Sequence, residues 1–470
     1  MSVAETSPAA DGNSAARLDL RAVHVGRDPK NDPRHEIPAL GFREYWYPVI
    51  GEAKVPKRKP LRVLLLGDQL CVFRGKSGVA AISDWCPHRG ASLAGGLCNY
   101  AGTVSCPYHG WTFDEAGACV AVLSEGPESA IPGKVSVRRY PTVTLKGIVF
   151  AWMGDGAPSD PRTDLPPELF DDSFVQYDTT MWHANWRPSM ENLSDNHAVY
   201  THRNSAQLLM QPFRKARYAG ARTVFTGGAA PLNYVSDGTE KDLPYQEYYP
   251  AVDGVWPKHK YRLLWAPIFK AKRLRWLWTI GDGLYWDEVA TRQKYHPGSR
   301  EWNTGAHMPG MQRINGGTSI YTRWCVPADE NTTREFYFYA TRPKSGRERL
   351  LERIKYPIAQ KLLRNRNLGF QDGKILERTR YDLPERFSAF DVETIGWRRL
   401  AILSARYGGR HDRIPQDVID RLNATGERAS AAAASKATKS TKATKATKAM
   451  KAAPRPAVVP VRPGGDEAGD

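Results

Sequence analysis

Two short runs of the 470-residue chain restrict its fold more than anything else in it: Cys86-Pro-His88-Arg-Gly90 and Cys106-Pro-Tyr-His109-Gly110-Trp111. The pattern is C-x-H, then seventeen residues, then C-x-x-H. Two thiols and two imidazoles on two loops form a metal-ligand set, and surrounding structure must bring the loops face to face. Tetrahedral zinc is one occupant of such a set. A [2Fe–2S] cluster with two Cys on one iron and two His on the other is a second. Zinc sites more often present their cysteines as C-x2-C pairs, so a C-x-H half favours the cluster. Pro87, Gly90, Pro107 and Gly110 suit loops whose backbone approaches cluster sulfide closely.

The chain around these loops reads as short antiparallel strands. Arg62–Leu66, Leu70–Phe73 and Val79–Ile82 are apolar runs separated by Gly67-Asp68 and by the Gly75–Gly78 turn region. Val143–Leu145 and Ile148–Met153 flank Lys146-Gly147, a hairpin signal. After the Pro-rich stretch Gly156–Pro167 the elements lengthen. Lys260–Ile280 is strand-like. Arg347–Arg364 carries Leu350, Leu351, Ile354, Ile358 and Leu362 at helical spacing, with Pro357 expected to kink or split the helix. The expected organisation is a mobile arm over 1–38, an all-β metal-binding domain over 39–155, a second domain over 156–425, and a disordered tail over 426–470. The fold class is α+β.

A second constellation lies in the second domain: Glu191-Asn192-Leu-Ser-Asp195-Asn-His197-Ala-Val-Tyr-Thr-His202. Two His at H-x4-H spacing with acids upstream fit part of a 2-His-1-carboxylate iron site with open positions. A regular helix points two such rings about 140° apart, so they converge only where the helix bulges or ends. Surface histidines are the alternative for this segment taken alone.

Together the two constellations resemble Rieske-type non-heme iron oxygenases over most of residues 40–400. Respiratory-chain Rieske proteins add a disulfide-forming Cys to each loop, where this chain has Ala91 and Tyr108; Gly110-Trp111-Thr112-Phe113 looks like the oxygenases instead. The resemblance implies cluster ligation by Cys86, His88, Cys106 and His109, and a mononuclear Fe(II) on His197, His202 and a distant carboxylate. Asp372 is the expected third ligand, with Glu377, Asp382 and Asp391 as alternatives. The family places an Asp between one subunit's cluster and the next subunit's iron. Asp195 falls there, although this chain reads D-x-H where the family usually has D-x2-H. The resemblance further implies a helix-grip (START-like) catalytic domain with a curved antiparallel sheet, O2 as cosubstrate, and a head-to-tail homotrimer. The expected activity is hydroxylation, dihydroxylation or demethylation of a small apolar aromatic or steroid-like substrate. A Rieske electron-transfer or redox-sensing protein without oxygenase activity is the alternative.

Gly95-Gly96 and Gly227-Gly228 lack the strand–GxGxxG–helix setting of a dinucleotide site, so electrons are expected from another chain, a ferredoxin or flavin reductase. Hydrophobic residues at 41% and charged residues at 25% fit a folded core. No apolar run reaches the roughly 18 residues of a membrane span. Six cysteines and no signal-like start point to the reducing cytoplasm. The net charge of +17 is uneven: nine basic and three acidic residues from Arg428 onward give the tail +6. Its lysines recur every third residue from Lys436 to Lys451, which reads as a solvated tail rather than a nucleic-acid or membrane binder. Aromatics such as Trp256, Trp265, Trp276, Trp278 and Trp286 suggest core strands with some contribution to an apolar chamber.

Overall fold

The computed structural model describes residues 32–192, 201, 216–218, 221–225, 232–236, 241–243, 305–315, 319–387 and 391–424. The expected strand Lys260–Ile280, its aromatics, Gly227-Gly228, Asp195, His197, His202 and the tail from 426 lie outside the described residues.

Ten strands build the first half. Strands β1 (Trp46–Gly51), β10 (Ile148–Trp152) and β9 (Thr142–Leu145) form one antiparallel sheet in the order β1-β10-β9. The predicted hairpin is present, closed by Lys146 and Gly147, both left-handed at φ 50° and 76°. Strands β2 (Leu61–Leu65), β3 (Asp68–Arg74), β4 (Val79–Ser83) and β8 (Arg139–Tyr140) form a second sheet. A three-stranded meander, β5 (Thr103–Ser105), β6 (Trp111–Asp114) and β7 (Cys119–Val122), carries the second metal loop at its β5–β6 turn.

The second half is built on a five-stranded sheet ordered β11-β19-β18-β17-β16. Its long members are β11 (Phe174–Trp182), β18 (Ser319–Pro327) and β19 (Thr333–Thr341), edged by β17 (Met311–Asn315) and β16 (Gly305–His307). Two short antiparallel pairs join β12 (Ala216–Tyr218) to β15 (Lys241–Leu243) and β13 (Ala221–Phe225) to β14 (Leu232–Ser236). The helices are α1 (Pro161–Asp164), α2 (Trp186–Asn192), α3 (Gly346–Lys355), a π-helix (Tyr356–Leu368), α4 (Gly369–Leu376) and α5 (Val392–Arg406). An all-β domain followed by antiparallel strands under helices is the α+β class expected from the sequence.

The register of β18 and β19 sorts their side chains by period two. Trp324 pairs with Phe336 and Thr322 with Phe338, which sets Trp324, Phe336 and Phe338 on one face. Tyr321 pairs with Tyr339, Arg323 with Tyr337 and Cys325 with Glu335, which sets six polar or polarizable side chains on the other. The apolar face packs on the first half: Trp324 lies 5.9 Å from Tyr47 and 6.3 Å from Phe150, ring centre to ring centre. Backbone bonds fasten the same seam, with the Leu66 and Gly67 N–H groups donating to the Pro327 and Ala328 carbonyls at 2.9 Å.

Two expectations shift. The arm is anchored from Asp32 onward. Asp32 caps a short 3-10 helix by accepting from the Arg34 N–H at 2.9 Å, and buried Arg34 reaches the Leu383 carbonyl at 2.8 Å. Pro357 does not break the helix. The ladder instead loosens from α3 into the π-helix at Tyr356, which absorbs the missing proline donor. The stripe Leu350, Ile354, Ile358 and Leu362 faces outward, and the inward positions are Gln360, Arg364 and Asn365.

Because one aromatic core joins both halves, Trp324→Ala should cost about 3–5 kcal/mol. Calorimetry should give a lower Tm, with cluster absorbance and secondary structure lost in one transition; two separated transitions in the wild type would contradict the shared core.

Candidate functional site

The cluster loops are held by a buried carboxylate and by their own backbone. Asp84, fully buried two residues before Cys86, accepts from Ser92 Oγ at 2.7 Å, the Ala94 N–H at 2.6 Å and Arg62 Nε at 3.0 Å. Three donors keep an otherwise costly charge in place and fix where the first loop leaves β4. Both loops then fold alike. The Cys86 N–H donates to the Ala91 carbonyl and the Gly90 N–H returns to the Cys86 carbonyl. The Cys106 N–H donates to the Trp111 carbonyl and the Gly110 N–H to the Cys106 carbonyl. Gly110 is left-handed at φ +67°, and a Cβ there would stand 2.6 Å from the Leu123 Cβ. Glycine is required on both counts.

Cys86 and Cys106 are buried, His88 is exposed and His109 is half-buried. The His88 and His109 rings are 4.6 Å apart, and His88 stacks on Trp111 at 4.9 Å and 5°. Burial, and then the adjoining Cys106 thiol, push the Cys86 thiol up to about 11. Thiols held this way give up their protons to a metal. The buried Nδ1 of His109 has no hydrogen-bond partner among the described residues, as befits a nitrogen reserved for a metal. Among the described residues no three His, Cys, Asp or Glu side chains converge as one single-ion site requires. Two cysteines and two histidines suit a two-iron cluster, two ligands per iron.

Sequence reasoning also singled out Glu191, Asn192 and Asp372, and the structure brings these together. Asn185 opens α2 by accepting from the Arg187 N–H at 3.0 Å. At the far end of α2, Asn192 Nδ2 donates to Asp372 Oδ1 on α4 at 3.4 Å. Asn192 Oδ1 in turn accepts from Arg323 Nη1 at 3.2 Å, and Arg323 Nε donates to Glu335 Oε2 at 2.8 Å. Arg323 also donates to the Ser189 carbonyl at 3.0 Å and stands 4.3 Å over the Trp182 ring. Burial pushes the Glu335 carboxyl up against the pull of Arg323, and the charge of Asp372 adds to the rise. Glu191 is gripped by Arg398 of α5 at 2.6 Å through both carboxylate oxygens.

The four carboxylate candidates separate by environment. Asp372 is buried on the inner side of α4. Glu377 pairs with Lys374 at 2.6 Å on the surface, which holds its carboxyl below the usual range. Asp382 pairs with Arg380 at 2.6 Å and is exposed; Asp391 occupies the N-cap position of α5. Arg323, Glu335, Arg398 and Asp84 were not singled out from the sequence. The signal for Glu335 was present: in Thr333–Thr341 a charge and two tyrosines alternate with phenylalanines.

Residues 45–141 match the Rieske [2Fe–2S] domain, so the first half is a Rieske domain. The chain is 28% identical over 312 residues to the terminal oxygenase component of carbazole 1,9a-dioxygenase of Metapseudomonas resinovorans, 64% of this chain and 72% of that one. It is 33% identical over 173 residues to the oxygenase subunit of 5,5'-dehydrodivanillate O-demethylase of Sphingobium sp., 36% of this chain and 40% of that one. Its fold is similar to the solved terminal oxygenase of carbazole 1,9a-dioxygenase from Novosphingobium sp. KA1, at a TM-score of 0.59 and 24% identity, covering 84% of this chain and 98% of that one. The chain thus carries a Rieske domain and is similar in sequence and fold to terminal oxygenases of the Rieske type.

Cys86→Ser exchanges a soft thiolate for a hard alkoxide donor. The purified variant should lose the [2Fe–2S] electron paramagnetic resonance signal; an unchanged signal would remove Cys86 from the ligand set.

Proposed function

We propose that the chain is the terminal oxygenase of a multicomponent system, with Cys86, His88, Cys106 and His109 holding the cluster and His197, His202 and Asp372 holding a mononuclear Fe(II). The hydrogen bond from Asn192 to Asp372 carries this reading, because it ties α4 to the helix that leads, five residues on, to His197. A ferrous ion on three ligands supplies open positions for O2, and the cluster supplies further electrons one at a time. The rest is work for the protein's own side chains. Asn192 orients the Asp372 carboxylate, Arg398 fixes Glu191 and so the direction of α2, and Arg323 and Glu335 close the array below.

The electron donor is a ferredoxin, itself fed by a flavin reductase. Solved complexes of carbazole 1,9a-dioxygenase pair its oxygenase with a ferredoxin. Here exposed Trp85, Tyr108 and Leu123 surround the His88–His109 edge, an apolar rim suited to a docking protein. No helix among the described residues is long and apolar enough to cross a membrane. All six cysteines are free, as in a cytoplasmic protein. The substrate is a small, largely apolar aromatic or steroid-like molecule, and no nucleic acid is involved.

Asp372→Ala should remove the mononuclear iron and turnover while leaving the cluster reducible, and Glu377→Ala should keep both. Metal analysis beside electron paramagnetic resonance checks this, and iron lost from the Glu377 variant alone would move the ligand there. Wild-type protein with only cluster iron would favour a pure electron carrier.

The subunits form a head-to-tail homotrimer, in which one cluster faces the next subunit's iron across Asp195. The outward stripe of Leu350, Ile354, Ile358 and Leu362 offers apolar area for a neighbouring copy. Light scattering should report three chains. Asp195→Asn should keep both metals and the trimer but slow reoxidation of the reduced cluster under substrate and O2; full activity in a monomer would defeat the ring.

A further inference from the structure

The π-helix Tyr356–Leu368 presses a cation into the interior without an anion to meet it. Arg364 is 8% exposed, yet among the described residues no carboxylate pairs with it and its guanidinium donates no hydrogen bond. Every other arginine this deeply buried among the described residues has a carboxylate: Arg313 has Glu168, Arg323 has Glu335, Arg398 has Glu191, Arg410 has Asp164 and Arg34 has Asp32. What Arg364 has is aromatic. Its guanidinium lies 3.6 Å over the Tyr321 ring and 5.9 Å from that of Tyr339. A cation–π contact offsets only part of the cost of drawing a guanidinium out of water.

The neighbours are unmet as well. Asn365 Oδ1 accepts from the Tyr339 hydroxyl at 2.7 Å, but its buried Nδ2 has no partner. The buried Gln360 Oε1 and Tyr356 hydroxyl are likewise without partners. Buried polar atoms are nearly always paired, and exceptions gathered in one place mark a site whose partner arrives from outside. Long π-helical stretches are rare and concentrate at functional sites. This one places Arg364 and Asn365 on the polar face of the β18–β19 ladder, the face that also carries Arg323 and Glu335 beside Asp372.

We infer that Arg364, stacked on Tyr321 and flanked by Asn365, is the recognition point for a carboxylate on an aromatic substrate. This inference rests on the oxygenase reading of the same chamber and narrows its substrate class. Arginine meets a carboxylate with two parallel N–H donors, and Asn365 Nδ2 adds a third. Arg364 precedes Asp372 by eight residues, at most about 12 Å along a helix axis at the α-helical rise. An aromatic acid of one to three rings is long enough to span much of that separation. Arg364 acts in specificity and positioning, setting which ring edge is presented.

The test is isothermal titration of full-length holoprotein with benzoate, 2-naphthoate and biphenyl-4-carboxylate, each against its uncharged carboxamide. The wild type should bind at least one acid about tenfold or more tightly than its amide, since a site built for an ionic hydrogen bond rejects the analogue lacking it. Arg364→Gln should bring that ratio to about one. Arg364→Lys, keeping the charge and losing the fork, should hold an intermediate ratio and serves if the Gln variant does not fold. Without ligand, Arg364→Gln should melt at the wild-type temperature or above, because it relieves an uncompensated buried charge. No acid preferred over its amide in the wild type, or a preference surviving in Arg364→Gln, would overturn the assignment; so would a variant that melts lower with its preference intact. Iron and cluster content of the same samples tests the oxygenase reading separately, since a missing mononuclear iron would sink that reading and leave the binding ratios to stand on their own.

Discussion

The β18–β19 ladder is the constraint on which the rest of the molecule depends, because its two faces serve opposite chemistries. Trp324, Phe336 and Phe338 make one face a dry seam against Tyr47 and Phe150 of the Rieske half. Tyr321, Arg323, Glu335, Tyr337 and Tyr339 make the other face polar, although it is just as buried. A one-residue slip of register would exchange the two sets, putting Arg323 and Glu335 into the aromatic seam. The cost of burying that pair unmatched is what holds the register. Asp372 keeps its place because Asn192 bridges it to Arg323, and Arg323 keeps its place because Glu335 answers its charge.

The Rieske loops are stabilised differently. They take little from the large core and much from short-range bonds: the Asp84 carboxylate with three donors, and the Cys86–Ala91 and Cys106–Trp111 backbone pairs. Local specification of this kind is legible in sequence. The Rieske domain and the Lys146-Gly147 hairpin were legible without the structure, because each is signalled by residues within a few positions of one another. The burial of Cys86 and Cys106 beside exposed His88 follows from the same loops: the cysteines adjoin the strands, and the histidines stand two and three residues further out.

What the sequence hid was non-local. Nothing near Arg323 in the chain announces Glu335, and nothing near Glu191 announces Arg398, 207 positions away. Pairing across strands and helices is set by register and packing, which a single sequence does not print. The helical segment from Gly346 to Leu368 makes the same point from the other side. Leu350, Ile354, Ile358 and Leu362 have the spacing of a core stripe, and periodicity assigns such a stripe inward. The structure turns it outward because the inner face of the π-helix is committed to Arg364, Asn365 and Gln360, over a sheet face that is itself polar. A helix whose partner surface is polar inverts the rule that finds it. Asp32 and Arg34 fall in the segment read as arm for a related reason, since nothing near them in the chain announces that Leu383 and Glu385 receive Arg34.

The same two-faced sheet separates the two halves of the chemistry within one chain. The side chains around the cluster loops form a small core of their own, including Val104, Trp111 and Phe113, apart from the aromatic core of Phe150, Trp324 and Phe336, while Asn192 and Arg323 link Asp372 to the polar side of the ladder. The side of the cluster that carries His88 and His109 instead opens outward, ringed by Trp85, Tyr108 and Leu123. The ladder's polar face behaves oppositely: Arg323, Glu335, Arg364 and the tyrosines Tyr321, Tyr337 and Tyr339 are all buried there, so its charges must be met by protein groups rather than by water.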